Sequence, residues 1–420
     1  MTRQMLLSAA AALAFSAHAA GAQETIKIGV LATLEGTYTV LGEDSVRGFE
    51  LAIDEWGGEV AGKQIEHVVA STDTTPDTAV RQARKLVEQD EVDIIVGPLS
   101  GSEGIALRDY AKTVPEVTIV NGISGAQETT MQDPAENFFR FNMDGAQWGA
   151  GLGEYVVEEK GWQTVASVAE DYSFAYTNFL GFALGFCQAG GEITDRFWVP
   201  LGTKDFASII AALPDDVDAI YLGLGGGDAV NFLNQYQQAG GSANLIGGTI
   251  MVDQTVLTSR GQAKQALVGT PSSGPQADTW DDPTWQEFVG QYQEFFPPDA
   301  RFPVPSLFAT GYYNATSAVM LALEAVGGDL SDGQAAFREA LAAVELDAPN
   351  GRITLDDNRQ AIGTNFVTEV VEDDEGNLVN ELVEVVEGVD QRLGLSEEEF
   401  AEIGLPSRDT PVCADFQPQG

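Results

Sequence analysis

The chain has 420 residues, 44% of them apolar, enough to fill two packed domains rather than one. Its 64 acidic residues against 21 basic ones give a net charge of −43, which repels phosphate backbones and anionic lipid, so no nucleic-acid partner is expected. Two cysteines and two histidines are too few for a zinc site, and the single histidine beyond residue 22, His67, sits mid-strand, a poor position for a triad base.

Residues 1–22 carry a positive charge at Arg3, an apolar run from Met5 to Ala17 and an Ala20-Gly21-Ala22 cleavage pattern, which predicts a secretory signal peptide. The run is shorter than the roughly 20 residues a bilayer span needs, and neither cysteine makes a lipobox. A periplasmic protein beginning near Gln23 is expected.

Strands and helices then alternate. Residues 26–31 predict a strand, and Val46, Phe49, Ile53 and Trp56 mark a helix face that Gly57-Gly58 ends. A strand over 65–70 precedes a helix opening on Thr75-Pro76, with proline at its first position. Strand 92–96, helix 102–113 and strand 117–120 complete a first series. After residues 138–142 a second series runs through helix 146–159, strand 165–169, helix 175–189, strand 192–199, helix 206–213, strand 219–224, helix 228–239 and strand 245–250. Helices over 285–296, 307–326 and 334–344 follow, then a strand at 352–355 and a hairpin of 366–371 with 378–386. The acidic runs, such as Glu397 to Glu399, read as solvated surface, and the proline-rich tail 406–420 as irregular.

Two successive series of this kind predict an α/β fold of two lobes, each an open, mostly parallel sheet flanked by helices. The expected lobes are 23–142 with 273–346, and 143–272 with 347–405, joined by three crossovers. In an exported chain Cys187 and Cys413 are expected to form a disulfide, with two unpaired thiols as the alternative.

Known catalytic patterns are missed. Ser100 and Ser124 lie outside a G-x-S-x-G elbow, and Gly223 to Asp228 has Asp where a dinucleotide fingerprint needs its third glycine. No enzyme activity, cofactor or metal is expected. Polar, glycine-containing loops instead follow several strands, where open α/β sheets bind ligands. Ser100, Gly101 and Ser102 enter a helix whose N-terminus suits a carboxylate. Asn121, Ser124 and Gly125 follow the next strand. Glu170-Asp171-Tyr172-Ser173-Phe174 offers two acids and two aromatics, and Asp228 stands one βα unit later, where an acid could hold an ammonium. Trp148 follows the first crossover, near a cleft. For each, an N-cap, a turn or the core is the alternative reading.

These loops fall in a recognisable order. Ile26-Lys27-Ile28-Gly29-Val30, Gly42-Glu43-Asp44, Gly48-Phe49-Glu50-Leu51-Ala52, the run from Asp90 to Pro98, Phe139-Arg140-Phe141 and Asp205-Phe206 together resemble the leucine/isoleucine/valine-binding protein family of type I periplasmic binding proteins. The resemblance implies two lobes that close on a small molecule and deliver it to an ABC permease in the inner membrane; a monomer is expected. It places an α-carboxylate on Ser100, Ser102, Ser124 and Gly125, an ammonium on Asp228, and an aromatic cover on Tyr172 or Phe174. Leu41 stands where the first loop usually has Tyr, with Tyr38 close by; Gly125 replaces a Thr and Asp228 a Glu, so a ligand other than a branched-chain amino acid is open. A sensory receptor and an exported hydrolase are the other functions such a scaffold serves.

Overall fold

A computed structural model describes residues 25–410 and 413–416; the expected signal peptide lies outside the described residues. The run of apolar residues in β1 (Thr25–Thr33) is buried on both faces, as a strand inside a parallel sheet requires. Beside it lie β2 (Glu59–Val60), β3 (Lys63–Thr72), β4 (Ile94–Val96), β5 (Thr118–Asn121) and β6 (Phe138–Arg140), in the order β2-β3-β1-β4-β5-β6. Only the β2/β3 hairpin is antiparallel.

The second sheet takes β7 (Thr164–Glu170), β8 (Glu192–Val199), β9 (Ala219–Gly223), β10 (Asn244–Gly247) and β11 (Pro271–Gly274) in parallel, followed by β12 (Leu346–Ala348), β13 (Gly351–Leu355) and β14 (Ala361–Glu372). The order is β12-β13-β14-β11-β10-β9-β7-β8, and β15 (Leu378–Val389) adds to β14 as the hairpin the sequence predicts. The two-sheet α/β architecture is therefore as expected. Three passages link the sheets: β6 to β7, β11 to the helices Pro283–Phe295 and Leu307–Ala325, and the helix Ala335–Ala342 to β12. β11 keeps residues through Gly274 in the second sheet, so the second passage falls after Gly274 and not at 272.

Local differences have local causes. The helix expected over 146–159 is two helices, Gly145–Trp148 and Leu152–Glu158, because Gly151 turns left-handed at φ +83°. The strand expected over 245–250 stops at Gly247 and tightens into a 3₁₀ turn, Thr249–Val252. The acidic run after Ser396 is a helix, Glu397–Ile403: Ser396 Oγ accepts from the Glu399 N–H, Glu399 accepts from the Ser396 N–H, and three acids sit at the positive helix end.

Cys187 and Cys413 are bonded, their Cα atoms 5.1 Å apart. The bridge fixes the short turn Cys413–Phe416 to the helix Ser173–Gln188, where Phe416 packs into the core below β7 and β9. It closes a loop of 226 residues, for which chain entropy alone gives a stabilisation of roughly 5 kcal/mol. The double variant Cys187→Ser/Cys413→Ser should lower the thermal midpoint clearly, and reduction of the wild type should reproduce the loss.

Candidate functional site

The loops leaving the C-terminal ends of β4 and β5 face those leaving β7, β9 and β10 across the space between the sheets. Gly97 makes the first turn: at φ +131° it lies where a Cβ would stand 2.4 Å from the Leu31 carbonyl oxygen, so no other residue fits. The chain then enters the helix Gly101–Ala111, whose first turn is closed by a capping box of Ser100 and Glu103.

Between the sheets lies a narrow cavity of about 10 Å³, closed down by the side chains around it. Tyr38, Ser100, Gly101, Gly125, Trp148, Tyr172 and Phe174 line it, and Leu99, Ile123, Ile250 and Phe308, which sequence reasoning missed, complete its apolar wall. Phe174 reaches over from the second sheet and packs against the opposite loops: a Cβ on Gly125 would fall 2.8 Å from its ring, and one on Gly101 3.0 Å from its own Cβ. Those glycines are small because the two lobes meet there. Trp148 meets Phe174 edge to face at 5.6 Å between centroids. Its indole Nε1–H is buried and has no hydrogen-bond partner among the described residues, a costly condition for a donor.

The other expected residues are placed elsewhere. Ser124 Oγ donates to Asn121 Oδ1 at 2.6 Å, and Asn121 Nδ2 donates to Asn142 Oδ1 at 2.6 Å, so both brace the loop from behind. Ser102 Oγ meets Ser173 Oγ at 3.2 Å, joining the lobes beside the cavity. Ser100 lines the cavity, but its Oγ donates to the Thr74 carbonyl at 3.2 Å. Asp228 is outside: it accepts from Thr37 Oγ1 at 3.0 Å and from the Gly202 N–H at 2.6 Å. The ammonium role expected for Asp228 therefore has no support in this geometry, because both of its carboxylate oxygens already hold the loops together.

The acid beside the cavity is Glu170, at the end of β7. It accepts from Tyr38 Oη at 2.5 Å across the two lobes and from the Gly225 N–H at 3.2 Å. Burial pushes its carboxyl up to about 8, and repulsion from Asp228 adds to this, while the Tyr38 and Gly225 bonds pull the other way. Its proton is therefore held more tightly than in water. The clue in sequence was an acid closing the otherwise small and apolar run Val165-Ala166-Ser167-Val168-Ala169, at the ligand-facing end of a strand. No basic residue lines the cavity, and no group of three or more His, Cys, Asp or Glu among the described residues is placed to hold a metal ion.

Residues 25–376 match the periplasmic binding protein family. Leu/Ile/Val-binding protein homolog 6 of Brucella melitensis is 23% identical over 391 residues, covering 92% of this chain and 97% of its own. The solute-binding protein of an ABC transporter from Rhodopseudomonas palustris BisB5, solved with 3,4-dihydroxybenzoic acid, superposes with a TM-score of 0.78 at 25% identity, over 87% of this chain and 98% of that one. An ABC transporter substrate-binding protein from Sphaerobacter thermophilus gives a TM-score of 0.78 at 29% identity, over 88% of this chain and 99% of that one.

Buried carboxyls make stability depend on pH. Burial raises Glu170 to about 8, Glu103 to about 7 and Asp278 to about 6. Each holds its proton more tightly folded than unfolded, so its contribution is full below the ordinary carboxylate value of about 4 and is lost as pH rises through the folded values. The thermal midpoint should fall from pH 5 to pH 8.5, and Glu170→Gln should make that fall smaller. An unchanged slope in this variant would mean that Glu170 ionises as freely folded as unfolded.

Proposed function

The chain belongs to the periplasmic binding protein family, and from that premise we propose that it is the extracytoplasmic receptor of an ABC importer whose ligand is a small aromatic carboxylate. The unpartnered indole N–H of Trp148 carries the reading: it asks for an acceptor on the ligand, inside walls made of Tyr38, Tyr172, Phe174 and Phe308. The N-terminus of the helix Gly101–Ala111, with Gly101 in the cavity wall, adds the positive end of a helix dipole for the same anion. The dihydroxybenzoate-bound relative supports the same ligand class.

A branched-chain amino acid is the second reading, favoured by the name of the Brucella relative. Its ammonium needs an ionised acid inside the cavity. Asp228 faces other partners, and burial disfavours the ionised form of Glu170. The aromatic acid therefore fits better.

Export by a signal peptide cut near Ala22, a monomeric receptor and an inner-membrane permease partner belong to the same proposal. So do the two lobes, 23–142 with 275–345 and 143–274 with 346–405, closing on the ligand from both sides. The contacts Tyr38–Glu170, Thr37–Asp228 and Ser102–Ser173 would form on closure and break on release.

Thermal unfolding of the ligand-stripped protein tests the class, with benzoate, 4-hydroxybenzoate, 3,4-dihydroxybenzoate, leucine and isoleucine as probes. Ligand at about 100 times its Kd adds about 2.7 kcal/mol, readily seen in the midpoint. A rise with the benzoates alone is expected; a rise with leucine alone would overturn the aromatic reading and leave the receptor standing. Trp148→Phe keeps the ring and removes the donor, and should weaken benzoate binding about ten-fold, the equivalent of about 1.4 kcal/mol.

A further inference from the structure

Away from the ligand cavity, two small adjoining cavities of about 20 Å³ each lie among the passages between the two sheets, with Pro275 and Leu307 in the walls of both. The first two passages contribute, Asn142 and Met143 from one and Pro275 from the other, and Asn350, in the turn between β12 and β13, adds to the wall from the second sheet. These cavities therefore occupy the hinge.

Their polar groups are unbalanced in one direction. Asp253 Oδ1, Asn380 Oδ1 and Asn314 Oδ1 are buried without a hydrogen-bond partner among the described residues, in side chains 5%, 8% and 2% exposed. Asp253 and Asn380 line the first cavity and Asn314 the second. The amides are not interchangeable with their flipped forms. Asn380 Nδ2 donates to the Val252 carbonyl at 2.9 Å, which leaves its oxygen unmatched. Asn350 Nδ2 donates to the Pro275 carbonyl at 3.0 Å, so Asn350 Oδ1 must accept, and Asn314 Nδ2 donates to it at 2.9 Å. The leftover atom on Asn314 is again an oxygen. Every unmatched side-chain atom named for these two cavities is an acceptor, and no lysine, arginine or histidine is among their lining residues.

A surplus of oxygens around one carboxylate is the donor set of a hard cation. We propose that the hinge binds a sodium ion, held by the Asp253 carboxylate and the Asn380 amide oxygen, with the rest of its coordination from water. The adjoining cavity, with the Asn314 oxygen, gives that water room. One carboxylate matches one positive charge; a divalent ion would call for more acids than these walls supply. The ion also answers an electrostatic cost, because Asp253 is fully buried and repelled by Asp44 and Asp278. Asp253 follows β10 and lies within hydrogen-bond reach of the Leu307 N–H, at the start of a helix packed on the other sheet, so the ion sits where the lobes pivot.

The test compares thermal midpoints of the full mature chain in NaCl, KCl and choline chloride at equal ionic strength, with ²³Na line broadening as a direct probe. A higher midpoint in sodium than in choline, broadening that saturates, and loss of both in Asp253→Asn are expected. Equal midpoints in sodium and choline with no broadening would overturn the site and leave water alone to meet these oxygens. Sodium selectivity that survives in Asp253→Asn would place the ion elsewhere and also overturn it. Should that variant fail to fold, the wild-type comparison between salts still decides.

Discussion

A guanidinium sealed from water has to find acceptors on every side, and the joint between the lobes is built around one. Arg140, at the end of β6, is fully buried. It donates to the Ala126 carbonyl at 2.7 Å, to Thr130 Oγ1 at 2.7 Å and to the Gln360 side chain, with Asp144 3.7 Å away. Gln360 in turn donates to the Asn142 carbonyl and to Gln147 Oε1, and Gln391 donates to Asp144. Burial lowers the guanidinium to about 10 and raises the Asp144 carboxyl, so neither member is comfortable without the other. Removing one partner from such a network costs several kcal/mol because the other charge is left bare. The network ties the first passage to the segments on either side of β14 and β15, and so sets where the second sheet stands relative to the first.

Much of this was legible in the residues. Period and punctuation located most of the strands and helices, because a buried parallel strand must be apolar and a helix must show its face every three to four residues. What stayed hidden depends on tertiary neighbours. Pro271-Ser272-Ser273-Gly274 has no strand signal of its own and is β11 only because β10 and β14 flank it. Asn121 and Ser124 read as ligand groups because loops after strands usually carry them, yet here they bond to one another. The cavity aromatics Tyr38, Trp148, Tyr172 and Phe174 were placed from the order of loops, whereas the choice between Asp228 and Glu170 turned on which acid finds partners outside the cavity. No spacing in the sequence reveals that.

The surface and the interior follow opposite electrostatic rules. A net charge of −43 is carried mostly by hydrated carboxylates that repel one another through salt-screened water. Acids that matter for structure lie inside, Glu170 close to Tyr38 and Asp253 close to a helix N-terminus, where burial works against the ionised form. An anion of the proposed class entering the cleft would meet no basic side chain in the cavity wall, so its recognition would rest on oriented N–H groups and ring surfaces rather than on net attraction.

The helix Leu307–Ala325 has a meaning for how the molecule is made. It packs on the helix Thr39–Glu55, and its Tyr312 hydroxyl donates to the Leu31 carbonyl, so a late segment completes the core of the earliest strands. A chain threaded across a membrane N-terminus first would therefore display the apolar faces around β1 and β4 until it had emerged beyond Ala325. A polypeptide cut short before that point is not half a receptor but a sheet without its cover, its apolar faces open to aggregation.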